Sequence, residues 1–282
     1  MAELLKGAAV AAALNEKMTK DIEDLKGKGV SPTLAILRVG ERDDDISYER
    51  GATKRCETVG VTVKNVILPA DVTQDVLMAN VEALNNDNGV HGVLIFRPLP
   101  KHLDEEAVRN ALNPEKDIDG ITDGSLAGVF TGNGRGFAPC TAQACMEILD
   151  FYGIDCKGKR AVVVGRSLVV GKPAAVMLTG KNATVTLCHT RTVDMPSVTR
   201  EAEIIIVAAG KAGAVTAEYL SPGQVVIDVG INMSDEGKLC GDVKFDDAEP
   251  VVAAITPVPG GVGTVTTSVL VSHVVEAAKK TL

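Results

Sequence analysis

Hydrophobic residues along the chain follow two alternating patterns. Some segments show the one-sided spacing of helices. Between them lie short runs rich in Val, Ile and Leu, which are typical of strands in a parallel sheet buried on both faces. In the first half of the chain this predicts helices over 1–27, 45–59 and 71–85 and strands over 33–39, 62–68 and 92–97. Gly60 stands where a helix C-cap is expected, and Asp71 and Thr73 are candidate N-caps.

A second alternating series begins after Pro139. It predicts helices over 140–152, 173–179 and 266–280 and strands over 161–165, 184–188, 204–208 and 225–229. The chain is therefore expected to form two α/β domains flanking a cleft, and the C-terminal one is expected to be a Rossmann-type parallel sheet. The Gly-rich stretch 119–139 is the predicted join. The predicted domains comprise 1–138 plus 264–282 and 139–263.

Composition narrows the class of protein. Hydrophobic residues make up 45% of the chain and aromatic residues only 3%, so the core must be built from aliphatic side chains, as in parallel sheets. A net charge of -8 without a basic stripe argues against a nucleic-acid partner. We find neither an apolar run of membrane-spanning length nor the pattern of a signal peptide, so a cytoplasmic protein with no membrane partner is expected.

The six cysteines form no C-x-x-C pair, and the four histidines show no ligand spacing near them. We interpret the cysteines as small buried apolar residues in a reducing compartment and expect no metal site.

A candidate cofactor loop runs from Gly165 to Gly171. It follows a predicted strand and leads into a predicted helix, as the dinucleotide-binding fingerprint does, although Ser167 replaces the middle glycine and the last glycine is displaced by one position. Amides at the start of that helix could hold a pyrophosphate. Taken alone, the pattern fits a glycine-rich turn in any α/β protein equally well.

The end of the next strand supports a phosphorylated cofactor. An NAD site usually has an acid there, whereas this chain has His189, Thr190, Arg191 and Thr192, and Arg166 lies in the preceding loop. Hydroxyl groups and guanidinium groups suit a 2′-phosphate better than a bare ribose hydroxyl. The sequence thus favours NADP, with NAD possible. The alternative is that His189 and Arg191 are solvated loop residues.

Three motifs, GRSLVVGKP at 165–173, PGGVG at 259–263 and KDIDG at 116–120, resemble the methylenetetrahydrofolate dehydrogenase/methenyltetrahydrofolate cyclohydrolase (FolD) family. The resemblance covers essentially the whole chain in the right order. It implies a folate-binding catalytic domain (1–138 plus 264–282), an NAD(P)-binding domain (139–263), tetrahydrofolate derivatives as ligands and a homodimer. It also places Ile231 beside the cofactor.

The family's folate chemistry rests on a Tyr and a Lys four residues apart, a Gln and an Asp. Tyr48 matches the Tyr, which the resemblance places over the folate rings, and Asp119 matches the Asp, which would accept from the N–H donors of the pterin. Without the resemblance, a surface Tyr and a capping Asp would be the simpler interpretations.

Two positions depart from the family pattern. Ala52 stands where the Lys is expected, and Phe96 stands where the Gln is expected. Residues 43–45 are three aspartates where the family has Pro-Ala-Ser. Lys54 is a poor replacement for the Lys, because six residues along a helix turn it about 240° away from the face of Tyr48.

These departures are expected to affect the two family reactions differently. Hydride transfer from 5,10-methylenetetrahydrofolate needs the reacting groups to be held in position and water to be excluded, whereas hydrolysis of the methenyl product needs a group that transfers protons. The sequence therefore predicts an NADP-linked methylenetetrahydrofolate dehydrogenase with weak or absent cyclohydrolase activity. The alternatives are a bifunctional enzyme that also makes 10-formyltetrahydrofolate, a shikimate- or glutamate-type dehydrogenase, and a non-catalytic folate- and NADP-binding protein.

Overall fold

A computed structural model describes residues 1–234 and 236–282. The chain forms two compact units. We call residues 13–140 with 267–282 the three-stranded unit, and residues 1–12 with 141–266 the six-stranded unit. Within the described residues, none of the helices is both long enough and apolar enough to span a membrane.

Most strands are short. They are β1 (Glu3–Leu4), β2 (Thr33–Val39), β3 (Thr62–Leu68), β4 (Gly92–Ile95), β5 (Arg160–Val164), β6 (Thr184–Cys188), β7 (Ile204–Val207), β8 (Val225–Asp228), β9 (Asn232–Met233), β10 (Leu239–Cys240) and β11 (Ala254–Ile255).

The helices vary from one turn to about six. They are α1 (Gly7–Gly27), α2 (Asp43–Val59), α3 (Gln74–Asn86), α4 (Glu105–Ala111), α5 (Asp123–Thr131), α6 (Cys140–Phe151), α7 (Gly171–Gly180), α8 (Met195–Arg200), α9 (Phe245–Ala248) and α10 (Val262–Lys279), with short 3-10 turns at Pro114–Lys116 and Ala217–Tyr219.

The three-stranded unit has a parallel sheet in the order β3-β2-β4. β2 is the central strand, and its residues after Thr33 are all buried, as expected for a strand covered on both faces. β4 ends at Ile95, so Phe96 and Arg97 leave the carboxyl end of the sheet. The Asp117–Ile118–Asp119 segment lies beside this strand, because Val93 forms an isolated parallel bridge with Asp117.

The six-stranded unit has an all-parallel sheet in the order β1-β11-β8-β7-β5-β6. The β-branched residues of β5, β7 and β8, except the half-buried Val225, are buried and form its core. β5 lies between β6 and β7, so the order of strands reverses at β5, which is where such sheets bind ligands. The predicted fold class, two α/β domains with a Rossmann-type parallel sheet in the C-terminal one, is confirmed.

Several predicted element bounds were wrong. Glu3 and Leu4 form a strand rather than the start of the first helix, because they pair with β11, a partner that local sequence does not reveal. Thr73, not Asp71, caps α3 by accepting from the amide of Val76. The last helix starts at Val262, four residues before the predicted start.

The Gly-rich stretch 119–139 contains a helix that was not predicted. α5 fills Asp123–Thr131 and is capped by the side chain of Thr122 and by Gly132 in the left-handed conformation. The capping residues are present in the sequence, but the many glycines around them led us to predict a join between domains instead of a helix.

Candidate active site

The turn that carries Asp119 is held by the carboxylate of Asp117. That side chain is fully buried and accepts from the amides of Ile121 (3.0 Å) and Thr122 (2.8 Å). The two backbone amides that follow the turn are thereby hydrogen-bonded. The first aspartate of KDIDG is therefore structural, which leaves the second, Asp119, as the candidate for ligand binding.

Gly120 completes this turn. Its φ of +67° lies in the left-handed region, and a Cβ there would come within 2.4 Å of the nitrogen of Pro139. A side chain at this position is excluded both by conformation and by space. Asp119 thus sits on a backbone that has little freedom to rearrange.

Asp119 has an unusual electrostatic environment. Burial, followed by the charge of Asp117, raises the pKa of its carboxyl to about 6, while Arg97 and a hydrogen bond with the thiol of Cys140 act in the opposite direction. Near neutral pH the group is mostly ionised and can accept hydrogen bonds. It also titrates close enough to neutrality to exchange a proton.

Tyr48 lies on α2, which is joined to the sheet by a buried ion pair. Arg38 on β2 donates from Nε to Glu49 at 2.8 Å, and Glu49 follows Tyr48 directly. The helix begins with three aspartates, which favour its positive end, and ends at Gly60 with φ +90°. These features fix the helix that presents Tyr48.

The structure brings Tyr48 and Asp119 together. Desolvation raises the pKa of the Tyr48 hydroxyl above its usual range, and the nearby charge of Asp119 is the second cause, with Cys140 the third. The residue as a whole remains 39% exposed, so part of it is open to a ligand. Such a partly exposed aromatic residue suits stacking.

Ala52 and Phe96, the two residues predicted to depart from the family pattern, are both apolar and enclosed. Ala52 is 0% exposed, one turn after Tyr48 on α2. Phe96 is 8% exposed and meets Tyr48 edge to face, with ring centroids 5.8 Å apart at 83°. A contact of this kind contributes about 0.5–1.5 kcal/mol. Neither residue can transfer a proton, and Lys54 is exposed on α2.

Arg97 supplies a positive charge that acts on Asp119. Its guanidinium lies 3.6 Å from the carboxylate of Glu105, and its charge lowers the pKa of Asp119. It follows Phe96 directly and precedes a cis peptide bond to Pro98. Arg97 therefore helps to keep Asp119 ionised.

In the six-stranded unit, the cofactor loop is shaped by two glycines. Gly165 has φ +127°, and a Cβ there would lie 2.1 Å from the carbonyl oxygen of Ala208. A Cβ on Gly171, the first residue of α7, would lie 2.1 Å from the carbonyl oxygen of Gly165. The loop thus folds back on itself, and only glycine fits at either end.

Ser167 caps the helix that follows this loop. Its Oγ accepts from the amides of Val170 (3.1 Å) and Gly171 (3.4 Å). The residue that replaces the middle glycine of the fingerprint therefore uses two amides that the sequence had suggested for a pyrophosphate. Leu168 and Val169 form an exposed tip.

The loop after β6 begins beside the cofactor loop, since β5 and β6 pair in parallel from Arg160↔Thr184 to Val164↔Cys188. The amide of His189 donates to Thr192, and the ring of His189 accepts from the amide of Arg191, which closes a tight turn. Thr190 and Arg191 are exposed on this turn. Across residues 1–234 and 236–282, neither Arg191 nor Arg166 forms an ion pair, so both guanidinium groups are free to meet an anion.

Ile231 is exposed and lines a cavity of about 230 Å³ formed with residues 257–264 of the PGGVG segment. A network that the sequence did not reveal holds this region. Asp228 accepts from the amides of Gly230, Asp242 and Val243, and burial raises its pKa to about 6. A Cβ on Gly241 would lie 1.8 Å from the Asp228 carboxylate.

The positions of the predicted residues are therefore clear within each unit. Tyr48, Phe96 and Asp119 lie together in the three-stranded unit. Gly165, Arg166, Ser167, Gly171, Thr190 and Arg191 occupy neighbouring loops of the six-stranded unit. Sequence reasoning missed Asp117 and Cys140 as parts of the site. Asp117 could have been suspected from its place in KDIDG, whereas the role of Cys140 depends on contacts between distant segments.

Two family models match the chain. One, described as the catalytic domain of tetrahydrofolate dehydrogenase/cyclohydrolase, matches residues 5–119. The other, described as the NAD(P)-binding domain of the same family, matches residues 139–282. The predicted cofactor, NADP with NAD possible, is confirmed as a nicotinamide dinucleotide by this second match.

Similar proteins carry the same family name. The bifunctional protein FolD of Carboxydothermus hydrogenoformans is 51% identical over 281 residues, which cover 99% of this chain and 98% of the relative. The bifunctional FolD structure from Campylobacter jejuni has a TM-score of 0.97 at 38% identity, with 100% of both chains covered. The Trypanosoma brucei FolD structure, solved with NADP and an inhibitor, has a TM-score of 0.92 at 37% identity, covering 99% of this chain and 98% of the other.

Proposed function

The chain belongs to the tetrahydrofolate dehydrogenase/cyclohydrolase family, and from that premise we propose that it oxidises 5,10-methylenetetrahydrofolate to 5,10-methenyltetrahydrofolate with NADP and does not accelerate hydrolysis of the product. The observation that carries this proposal is the pair of apolar side chains, Ala52 and Phe96, enclosed at the positions where the family has Lys and Gln. The folate-binding candidates Tyr48 and Asp119 are kept beside them.

NADP, when bound, supplies the acceptor for the hydride. The nitrogens of the substrate stabilise the cation that forms, so the protein has mainly to hold and desolvate the reacting groups. Asp119 accepts from the pterin donors, and the exposed part of Tyr48 stacks on the folate. Phe96 restricts the rotation of Tyr48 through the edge-to-face contact.

The residues of the six-stranded unit fit a phosphorylated dinucleotide. Gly165 and Gly171 make the tight loop, and Arg166 and Arg191 supply guanidinium groups without ion-pair partners among the described residues. A 2′-phosphate is doubly charged near neutral pH and would pair with them. This supports a preference for NADP over NAD. Two points remain predictions. They are the homodimer and the division into domains of residues 1–138 plus 264–282 and 139–263.

A second candidate function is the bifunctional one. It is favoured by the pKa of about 6 at Asp119, which leaves a proton-handling group at the site, and by the curated relative at 51% identity, which is called bifunctional. Arg97 beside Asp119 could stabilise the ionised carboxylate as a base. In that case another group has replaced the Lys of the family pattern.

The first test is the appearance of NADPH at 340 nm with 5,10-methylenetetrahydrofolate and NADP. Reduction at enzymatic rates supports the dehydrogenase, and its absence, with both ligands bound in a calorimetric titration, would instead indicate the non-catalytic binding protein. A variant with Ala52→Lys and Phe96→Gln restores both polar residues together. It should gain some hydrolysis of methenyltetrahydrofolate. A fully dehydrogenase-active variant without hydrolysis would mean that these two positions do not account for the loss.

A further inference from the structure

The carbonyl oxygen of Ile118 receives two side-chain donors. Nδ1 of His273, on α10, lies 2.8 Å from it, and Sγ of Cys140, the first residue of α6, lies 3.1 Å from it. Ile118 comes directly before Asp119. Both donors are enclosed, with His273 8% exposed and Cys140 1% exposed.

The imidazole of His273 has a defined tautomer and a fixed plane. Because a carbonyl oxygen only accepts, the hydrogen must be on Nδ1. The ring stacks on Phe137 with centroids 4.9 Å apart at 29°. Burial lowers the pKa of His273 to about 4, so the ring is neutral near pH 7 and remains a donor to Ile118. The other charged groups that act on the ring are Asp117, Glu276 and Lys280.

Cys140 donates to the same oxygen. A carbonyl oxygen has two lone pairs, so it can accept from Nδ1 of His273 and from Sγ of Cys140 at the same time. The two donors are neighbours, with Sγ 3.8 Å from Nδ1. Cys140 also acts on Asp119, since it is one of the causes that lower the pKa of that carboxyl.

We propose that His273 is a positioning residue for Asp119: together with Cys140 it donates to the Ile118 carbonyl and so fixes the turn that carries the Asp119 carboxylate. The inference rests on the proposed function, because Asp119 matters only if it binds folate. Three features then hold the turn. Asp117 accepts from an amide that follows Asp119, His273 donates to the carbonyl that precedes Asp119, and Gly120 provides the left-handed conformation directly after it.

The experiment compares His273→Leu, which keeps an apolar side chain and removes the donor, with His273→Asn, which keeps a short N–H donor. Ser272→Ala, next along α10, is the matched control. We expect His273→Leu to raise the KM for methylenetetrahydrofolate roughly tenfold while kcat and the KM for NADP change less than about twofold. His273→Asn should recover most of the folate KM.

Cys140→Ala provides the second arm. If the two side chains act through the one carbonyl of Ile118, Cys140→Ala with His273→Leu should raise the folate KM no more than the larger single effect, because coupled residues are non-additive. The acid limb of kcat/KM should move to higher pH in Cys140→Ala, because the thiol is one of the causes that lower the pKa of Asp119. The other groups that face Asp119, namely Asp117, Arg97 and Tyr48, are unchanged in all of these variants.

Loss of thermal stability in His273→Leu with an unchanged folate KM would overturn the inference and leave His273 as a packing residue. Independent, multiplicative effects of the two substitutions would also overturn it. The wild-type protein is assayed first. If it does not reduce NADP with methylenetetrahydrofolate, the proposed function fails, whereas an active wild type with an unaffected His273→Leu variant sinks only this inference.

Discussion

The two loops proposed to bind the ligands are held in shape by different means. The turn around Asp119 is fixed by buried polar side chains from three segments, which satisfy its backbone groups. The loop from Gly165 to Gly171 is fixed by close approach of backbone to backbone, which leaves no space for a Cβ. The first arrangement depends on distant residues, and the second depends on two glycines only six positions apart.

This difference decides what each loop tolerates. A glycine loop is disrupted by one methyl group. A turn held by hydrogen bonds can lose one partner and keep its path while its electrostatics change. Neither Ala52 nor Phe96 contributes a side chain to the hydrogen bonds that hold the turn, so the predicted departures at these two positions are compatible with an unchanged turn at Asp119.

The largest effect is expected in the glycine loop. Gly165→Ala introduces a methyl group 2.1 Å from the Ala208 oxygen at a φ of +127°, so the loop must move at a cost of about 2–4 kcal/mol. NADP affinity should fall by roughly 10²-fold or more. Gly180→Ala is the control, because its Cβ meets nothing within 4 Å at the end of the same helix. Fluorescence titration with NADPH measures both. Similar affinities in the two variants would refute the role of the loop.

Removal of the carboxylate should have the next largest effect. Asp119→Ala leaves pterin donors unpaired in the site, and kcat/KM for methylenetetrahydrofolate should fall by about 10²-fold or more. The exposed Asp24→Ala serves as a control in the same unit. A folded Asp119→Ala protein with near-normal kcat/KM would show that the folate has been placed wrongly.

A smaller effect is expected from replacing either of the two arginines near the cofactor loop. Arg166→Ala or Arg191→Ala should weaken NADP by roughly ten- to hundredfold and leave NAD within about twofold, because only NADP carries the 2′-phosphate. Arg160→Ala, at the amino end of β5, is a matched control at the opposite end of the strand. Equal affinities of the wild-type protein for NADP and NAD would contradict the predicted preference.

The smallest effect is a pH dependence. The folded-state pKa of Asp119, about 6, lies above its ordinary value, so protonation removes acceptor capacity as the pH falls through that region. At saturating NADP, kcat/KM for folate should halve near pH 6, and Asp119→Asn should lose this limb along with most activity. The same shift means that Asp119 favours folding below pH 4 and that this contribution is lost as pH rises through 6. An acid limb that persists in Asp119→Asn would assign it to another group.

Much of the fold followed from local pattern. The strands Thr33–Val39, Thr62–Leu68 and Thr184–Cys188 were predicted to the residue, because β-branched runs bounded by turns have few other conformations. The resemblance to the tetrahydrofolate dehydrogenase/cyclohydrolase family is also confirmed. β1 was missed because its only support is pairing with β11, which lies about 250 residues away in sequence.

The candidate site was predicted less completely than the fold. Tyr48, Asp119 and Phe96 were identified and lie together, but Cys140 was interpreted only as a small buried residue and His273 was not considered. Their contacts join α6 and α10 to the turn at Ile118, and no periodicity encodes such contacts. Buried polar networks of this kind become visible only when the chain is folded.

The central claim is that Ala52 and Phe96 remove the hydrolytic step and leave hydride transfer intact. The most direct measurement follows the decay of methenyltetrahydrofolate absorbance with and without the wild-type protein, in a buffer where spontaneous hydrolysis is slow, beside the rate of NADP reduction by the same sample. General acid–base assistance typically contributes about 10²–10⁴-fold, so its presence is easily seen. We expect rapid NADP reduction and a decay rate no faster than that of the buffer. Catalysed decay at a rate comparable to NADP reduction would contradict the claim and would indicate that Asp119, Arg97 or another group performs the hydrolysis.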